Sequence, residues 1–460
     1  MPPKKKRKIN SQLSEVVESD QGKGHTCRKV SFYKAVKEDH KEKILLFIKK
    51  IHHLARHATL FIKYFVICYF QQSQQFPVVD GYFVEAVLYL LNKGAAWNPK
   101  NAEKLRWKGI LNPFITEYTN LVQFTSGLRK FDQQPINYLV TAILTNIKVN
   151  VQENFTKMLF RFINFRLRLK ENKGKPGLTQ LLQNTKSLKN WIYSGNMADE
   201  TQPIGVDSSI IDDLKSLNIP FSEDRSVAYQ LKQDPISFLP SYCLLSLKFE
   251  QNGYSLFNAL SLRKAATQSH VIIDVQILCE HILEITKKEV DSLPDKKILW
   301  SKVFRTGTKA FKTTGGMEYT SITTDGVALS VHLANPHAKR IIKTKADSKA
   351  ALRATYVESN LENCEGKKIV VIDPNKRDLL YCQDKNGKIF RYTSNQRNVE
   401  TGRKNFRIRL QGLTPEAISQ VQTNIPSCKT MNYDEYCNYL LYMKQNWDEM
   451  EAFYSNPIHR

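Results

Sequence analysis

Asp373 is the acidic residue whose neighbours point most directly to chemistry. It follows Ile369, Val370, Val371 and Ile372, an apolar and mostly β-branched run. Such a run predicts a strand buried on both faces. Pro374 comes next and cannot continue a hydrogen-bonded ladder. The strand therefore ends with Asp373 at its C-terminal tip, where a carboxylate can face an open site. On the local pattern alone, the same Asp-Pro also reads as a plain strand-to-turn junction. His53 and His57 stand at i and i+4, a metal-compatible spacing on one helix face. No other ligand type lies nearby, so that face reads as basic and solvated rather than as a zinc site. The eight cysteines are scattered with no C-x-x-C pair, so neither a zinc motif nor a dithiol redox site is signalled. Residues 307–316 carry no ordered phosphate-loop signature, and no nucleotide cofactor is expected.

The formal charge of +24 predicts a polyanionic partner, with nucleic acid first among them. Lys4, Lys5, Lys6, Arg7 and Lys8 form a compact basic run that matches a monopartite nuclear localisation signal, implying a nuclear import receptor as partner and the nucleus as destination. Residues 338–354 hold a second concentration of charge, including Lys339, Arg340 and Lys343. It reads as a connector that touches phosphate. In residues 160–170, aromatic and basic side chains alternate, so that Arg161, Arg168 and Lys170 on a helix would follow a phosphate backbone while the aromatics pack inward. Residues 45–70 are the most apolar stretch, but Lys49, Lys50, Arg56 and Lys63 interrupt it, and no membrane span is expected.

The elements that must hold these residues fall into two regimes. From residue 27 to about 290 apolar residues recur at helical spacing, as in Ile44, Leu45, Ile48, Ile51, Leu54 and Ala58. Further helices are expected over 83–91, 138–155 and 155–169. From about residue 297 the pattern turns to strands. Residues 317–323 and 327–332 flank Thr324-Asp325-Gly326, a hairpin signal. Residues 379–382 and 388–392 flank the turn Asp384-Lys385-Asn386-Gly387. Two helices close the chain, over 413–423 and 433–453, the second with the apolar stripe Tyr436, Tyr439, Leu440, Met443 and Trp447.

Three of these stretches resemble the Fanzor proteins, the eukaryotic and giant-virus relatives of the transposon protein TnpB. The strand, Asp373-Pro374, Asn375 and the Lys376-Arg377-Asp378-Leu379 run are similar to that family's first RuvC motif. Asn375 stands where the family usually has Gly, and Asn tolerates the left-handed conformation such a turn would need. Trp300 to Phe304, then Phe311 and Thr324-Asp325-Gly326-Val327, resemble its β-rich wedge domain, with Asp325 a turn residue and not catalytic. Tyr392-Thr393, Gln396-Arg397, Glu400 and the following basic run resemble a third segment. The likeness spans roughly residue 299 to 460.

What the resemblance implies is RNA-guided, metal-dependent cleavage of DNA. Asp373 would be the first catalytic carboxylate and metal ligand of an RNase H-like (RuvC) site. Lys376, Arg377, Arg397, Arg403, Lys404, Arg407 and Arg409 would line the groove for guide RNA and target DNA. The family's two Mg²⁺ ions, about 4 Å apart, need three carboxylates. Residues 393–460 contain neither a strand ending in Glu nor a cysteine pair of zinc spacing. The chain is thus expected to be the front part of such a nuclease and not to cut DNA alone. The alternatives are a non-catalytic nucleic-acid-binding protein of the same descent and an unrelated nuclear helical adaptor. The expected fold is multidomain α+β. It comprises a basic tail (1–26), a helical recognition lobe (27–295), a β-rich, barrel-like wedge segment (296–345), a connector (346–366) and an incomplete RuvC domain (367–460).

Overall fold

A 36-residue helix, Glu38–Ser73, is the spine of the computed structural model. The structure describes residues 24–128, 133–193, 203, 205–221, 226–285, 289, 297–313, 316–336, 369–373 and 375–456. The basic run at Lys4–Lys8 and the connector residues Lys339, Arg340 and Lys343 lie outside the described residues. The chain is α+β and divides into two units, one of residues 1–336 with 425–458, the other of residues 337–424.

In chain order the first unit contains β1 (His25–Ser31), α1 (Phe32–Ala35), α2 (Glu38–Ser73), α3 (Gly81–Lys93), α4 (Ala102–Val122), α5 (Gln133–Arg166), α6 (Leu178–Tyr193), α7 (Ser208–Lys215), α8 (Val227–Gln233) and α9 (Leu239–Gln251). Then follow β2 (Val271–Asp274), α10 (Val275–Ile277), α11 (Lys297–Val303), β3 (Glu318–Thr324) and β4 (Ala328–Ala334). The second unit holds β5 (Val370–Asp373), β6 (Asp378–Asp384), β7 (Ile389–Thr393), α12 (Ser394–Glu400), α13 (Arg403–Leu413) and α14 (Glu416–Thr423). The last helix, α15 (Tyr433–Ser455), belongs to the first unit.

Helix α2 starts with Glu38 and Asp39 in its first turn, where carboxylates favour the positive end of the dipole. Its first half buries one stripe, whereas every residue from Leu54 to Cys68 is buried. A helix buried all round is the centre of its bundle. Asp80 caps α3 by accepting from the Phe83 N–H at 2.8 Å, and Asn101 caps α4 by accepting from Lys104 N–H at 3.2 Å. Sequence periodicity suggested two helices meeting at Phe155. The structure has one, α5, because Phe155 continues the same buried stripe of Ile136, Ile143, Ile147, Val151 and Leu159 and no breaker intervenes. Tyr436, Tyr439, Leu440, Met443 and Trp447 of α15 are buried, and the Tyr436 hydroxyl donates to the Leu60 carbonyl of α2 at 3.1 Å. No described helix is long and apolar enough to cross a membrane.

The sheet of this unit is antiparallel, in the order β1-β4-β3-β2, and among the described residues it stays open rather than closing into a barrel. Ile322, Leu329, Val331 and Leu333 bury one face. Trp300 of α11, Phe304 just beyond it, Phe311 and Tyr319 form an aromatic cluster with centroids 5.6 to 6.0 Å apart. The β3–β4 turn has the expected chemistry. The Asp325 carboxylate accepts from the N–H groups of Val327 and Ala328 at 2.9 and 3.0 Å, and Gly326 has φ +90°. Strands β1 and β2 lie in stretches read as tail or helix. β1 alternates between exposed and half-buried residues with no buried face, so it has no apolar period to find.

Candidate nucleic-acid interface

The second unit presents the residues that the resemblance singles out. Its sheet is a meander in the order β5-β6-β7, with Asp373 opposite Tyr381 and Val370 opposite Asp384. The β6–β7 turn closes as its sequence predicts: Gly387 N–H donates to the Asp384 carbonyl at 3.0 Å, and the Asp384 side chain accepts from Asn386 and Lys388 N–H at 2.9 and 2.8 Å.

Asp373 ends β5 and is exposed. Among the described residues its carboxylate makes no hydrogen bond or ion pair. The chain contains an instructive contrast in Asp274, which also ends an apolar strand, Val271–Asp274. Asp274 is consumed by structure, accepting from the Ile277 N–H at 2.9 Å and from the Tyr138 hydroxyl at 2.8 Å. The other acids around Asp373 are engaged in the same way. Asp378 holds Arg391 at 2.8 Å, Asp384 makes the turn, and Glu400 accepts from Tyr392 at 2.8 Å and Gln396 at 3.2 Å. Among the described residues no group of three or more His, Cys, Asp or Glu side chains is placed to hold a metal ion.

One local expectation changes. Strand β5 is not buried on both faces: Val370, Val371 and Ile372 are 52, 69 and 54% exposed. Among the described residues it is an edge strand, paired with β6 alone. Asn375 holds the β5–β6 turn through both its backbone and its side chain. Its N–H donates to the Asp378 carbonyl at 3.0 Å and its side chain accepts from Lys376 N–H at 2.6 Å.

Lys376, Arg377, Arg397, Arg403, Lys404, Arg407 and Arg409 are all exposed. Lys376 and Arg377 sit in the β5–β6 turn and Arg397 in α12, whose N-terminus Thr393 caps by accepting from Gln396 N–H at 3.1 Å. Helix α13 carries four of the basic residues, no acid and no buried side chain. At about 100° per residue, Arg403, Arg407 and Lys404 share an arc of about 100°, whereas Arg409 falls outside it beside the apolar side of Phe406, Leu410 and Leu413. The three-residue arc suits a phosphate backbone.

The interleaved segment of the first unit is only half a basic face. Helix α5 ends at Arg166, Arg168 takes φ +51°, and Leu169 N–H returns to the Asn164 carbonyl at 3.1 Å. Arg168 and Lys170 thus lie beyond the helix and do not continue the line of Arg161. The aromatics do pack inward, with Phe162 fully buried and Phe165 4.8 Å from Tyr254.

His53 and His57 are not on a solvated face. His57 is buried, its ring stacked 4.2 Å from Phe124, because α2 is enclosed there by α4 and α15. Burial, with Arg56 beside it, pushes the His57 pKa down to about 2. The i, i+4 pattern shows the shared face but not what covers it.

Residues 271–335 match a family described as a domain of unknown function, DUF8286. The match covers β2, β3, β4 and α11, three of the four strands of the first sheet, and leaves out β1 and the whole second unit. No curated protein matches the chain significantly.

Proposed function

We propose that the chain binds guide RNA and target DNA as part of a TnpB- or Fanzor-like nuclease of a transposable element. The reading rests on one observation above the others: Asp373 stands exposed and, among the described residues, unengaged at the tip of a strand that leads, through a basic turn and a hairpin, into the basic helix α13. In this reading the four-stranded sheet of the first unit is the wedge segment, and Asp373 is the first carboxylate of an RNase H-like, Mg²⁺-dependent site. Lys4 to Lys8 direct the protein to the nucleus through an import receptor. A non-catalytic nucleic-acid-binding role, as a transposon-derived regulator, is the second reading. It is favoured by Asp378, Asp384 and Glu400 being engaged in local structure rather than grouped with Asp373.

The test is RNA binding by the purified chain across a salt series, with DNA nicking assayed in Mg²⁺. Binding should weaken steeply with salt, as phosphate contacts require. The chain alone should not nick DNA. RNA affinity that ignores salt would overturn the nucleic-acid reading. Mg²⁺-dependent nicking that disappears in Asp373→Asn would establish a complete site and remove the second reading.

A further inference from the structure

Among the described residues the only exposed phenylalanines are Phe390 and Phe406, at 59 and 45%, and both lie in the second unit. An exposed aromatic ring forgoes the stabilisation of burial and leaves a flat π face open to a partner. The two rings differ in their surroundings. Phe390 stands on β7 opposite Cys382, and the arginine next to it, Arg391, is held by the Asp378 carboxylate at 2.8 Å. Phe406 stands on α13, which contains no acid and buries no side chain.

At about 100° per residue, Phe406, Leu410 and Leu413 fall within about 60° of one another on α13. Arg403 and Arg409 flank this stripe, each about 60° from Phe406 and at the i±3 spacing that makes helix side chains neighbours. From Arg403 the surface continues through Arg407 to Lys404, the arc suited to phosphate. The ring therefore borders that arc. A protein layer laid over so narrow a stripe would meet guanidinium groups on both borders, with no acid on the helix to pair them. A nucleic-acid strand meets both parts of the surface at once, with phosphate on the basic side chains and a base on the ring. The base must be unpaired, because the interior bases of a duplex are already stacked on both faces.

We propose that Phe406 is a stacking platform for an unpaired base of a nucleic-acid strand whose phosphates lie on Arg403, Lys404 and Arg407. This rests on the nucleic-acid reading above and adds that α13 takes its strand single rather than paired. RNA and DNA offer the same base faces and phosphates, so the site is defined by that shared chemistry. Leu410 and Leu413 extend the apolar surface along the helix, where the neighbouring sugar or base rests.

Fluorescence anisotropy with the full chain tests this, using a U-rich RNA strand, a T-rich DNA strand of the same length, and each of them paired with its complement. Two variants are compared. Phe406→Leu keeps an apolar, helix-forming side chain but has no π face, and Phe390→Leu removes the other exposed ring. Phe406→Leu should weaken single-strand binding about fivefold or more, as loss of one base–aromatic stack implies, and should leave the paired probes within about twofold of wild type. A stack carries no charge, so the salt slope for the weakened strand should not change. Phe390→Leu should match wild type on all four probes. Whichever strand loses affinity, RNA or DNA, is the one the platform takes. Single-strand affinity unmoved by Phe406→Leu, equal weakening of single and paired probes, or equal loss from the two Phe→Leu changes would overturn the proposal, and steep salt dependence in the same titrations would leave the nucleic-acid reading standing. Absence of salt-dependent binding to every probe would overturn both. If Phe406→Leu instead halves the mass of the free chain in light scattering and leaves RNA affinity unchanged, the face belongs to a second copy of the chain and the proposal fails.

Discussion

Replacing Arg403, Lys404 and Arg407 together by Gln gives a quantitative test of the α13 interface. Each phosphate contact to a single strand contributes about 0.7 to the slope of log affinity against log salt. Three contacts on one arc should therefore lower the magnitude of that slope by about 2. Between about 50 and about 200 mM salt, wild-type affinity for RNA should fall roughly 15-fold further than that of the triple variant. Stability should hardly change. Nothing on α13 is buried, and Arg, Lys and Gln have similar helix propensities. Fluorescence anisotropy of a labelled RNA over a KCl series measures the slope, and a thermal melt checks the fold. Arg409→Gln is the internal control, because it leaves the arc intact and should shift the slope by less than half as much. An unchanged slope in the triple variant, or an equal change from Arg409→Gln alone, would refute the placement of phosphate on this arc.

Two further predictions concern the first unit. Lys63 is fully buried in α2, donates to the Cys428 carbonyl at 2.6 Å, and is pushed by burial to a pKa of about 8. The unfolded chain holds this proton up to about 10.5, so between those values unfolding takes up a proton and stability rises with pH. Lys63→Met removes that component. The wild-type-minus-variant difference in denaturation free energy should rise by up to about 3 kcal/mol from pH 8 to 10.5, and parallel curves would show that Lys63 does not titrate in this way. Asp325→Ala deletes the acceptor for two backbone N–H groups of the β3–β4 turn and should cost about 1–3 kcal/mol in urea unfolding. Burial works to raise the Asp325 carboxyl, but the N–H groups of Ala328 and Val327 and nearby His270 outweigh it and hold the pKa below 3.8. Its contribution is thus present above 3.8 and lost as pH falls through the lowered value, so the variant should show a flatter acid limb.

Several elements were legible in the chain because their determinants are local. The turns at Asp325-Gly326 and Asp384 to Gly387 need a side-chain acceptor and a residue free to take positive φ, and both are visible in four letters of sequence. The stripe from Tyr436 to Trp447 declares its buried face by period alone. The strand ending at Asp373 was found by composition, yet its exposure was not. Composition reports what a strand would bury if another layer covered it; it does not supply the layer.

What the sequence determined by itself is the set of local conformers and the electrostatic character: the hairpins, most helix stripes, and a charge of +24. What only tertiary structure decided is pairing and enclosure. Strand β1 finds β4, with Cys27 opposite His332, through hydrogen bonds between segments some three hundred positions apart, which no local pattern encodes. Arg56, His57 and Lys63 look like charges that interrupt an apolar helix. They become a stacked guanidinium, a neutral imidazole and a buried amine because α4 and α15 enclose α2, and burial penalises their charged forms.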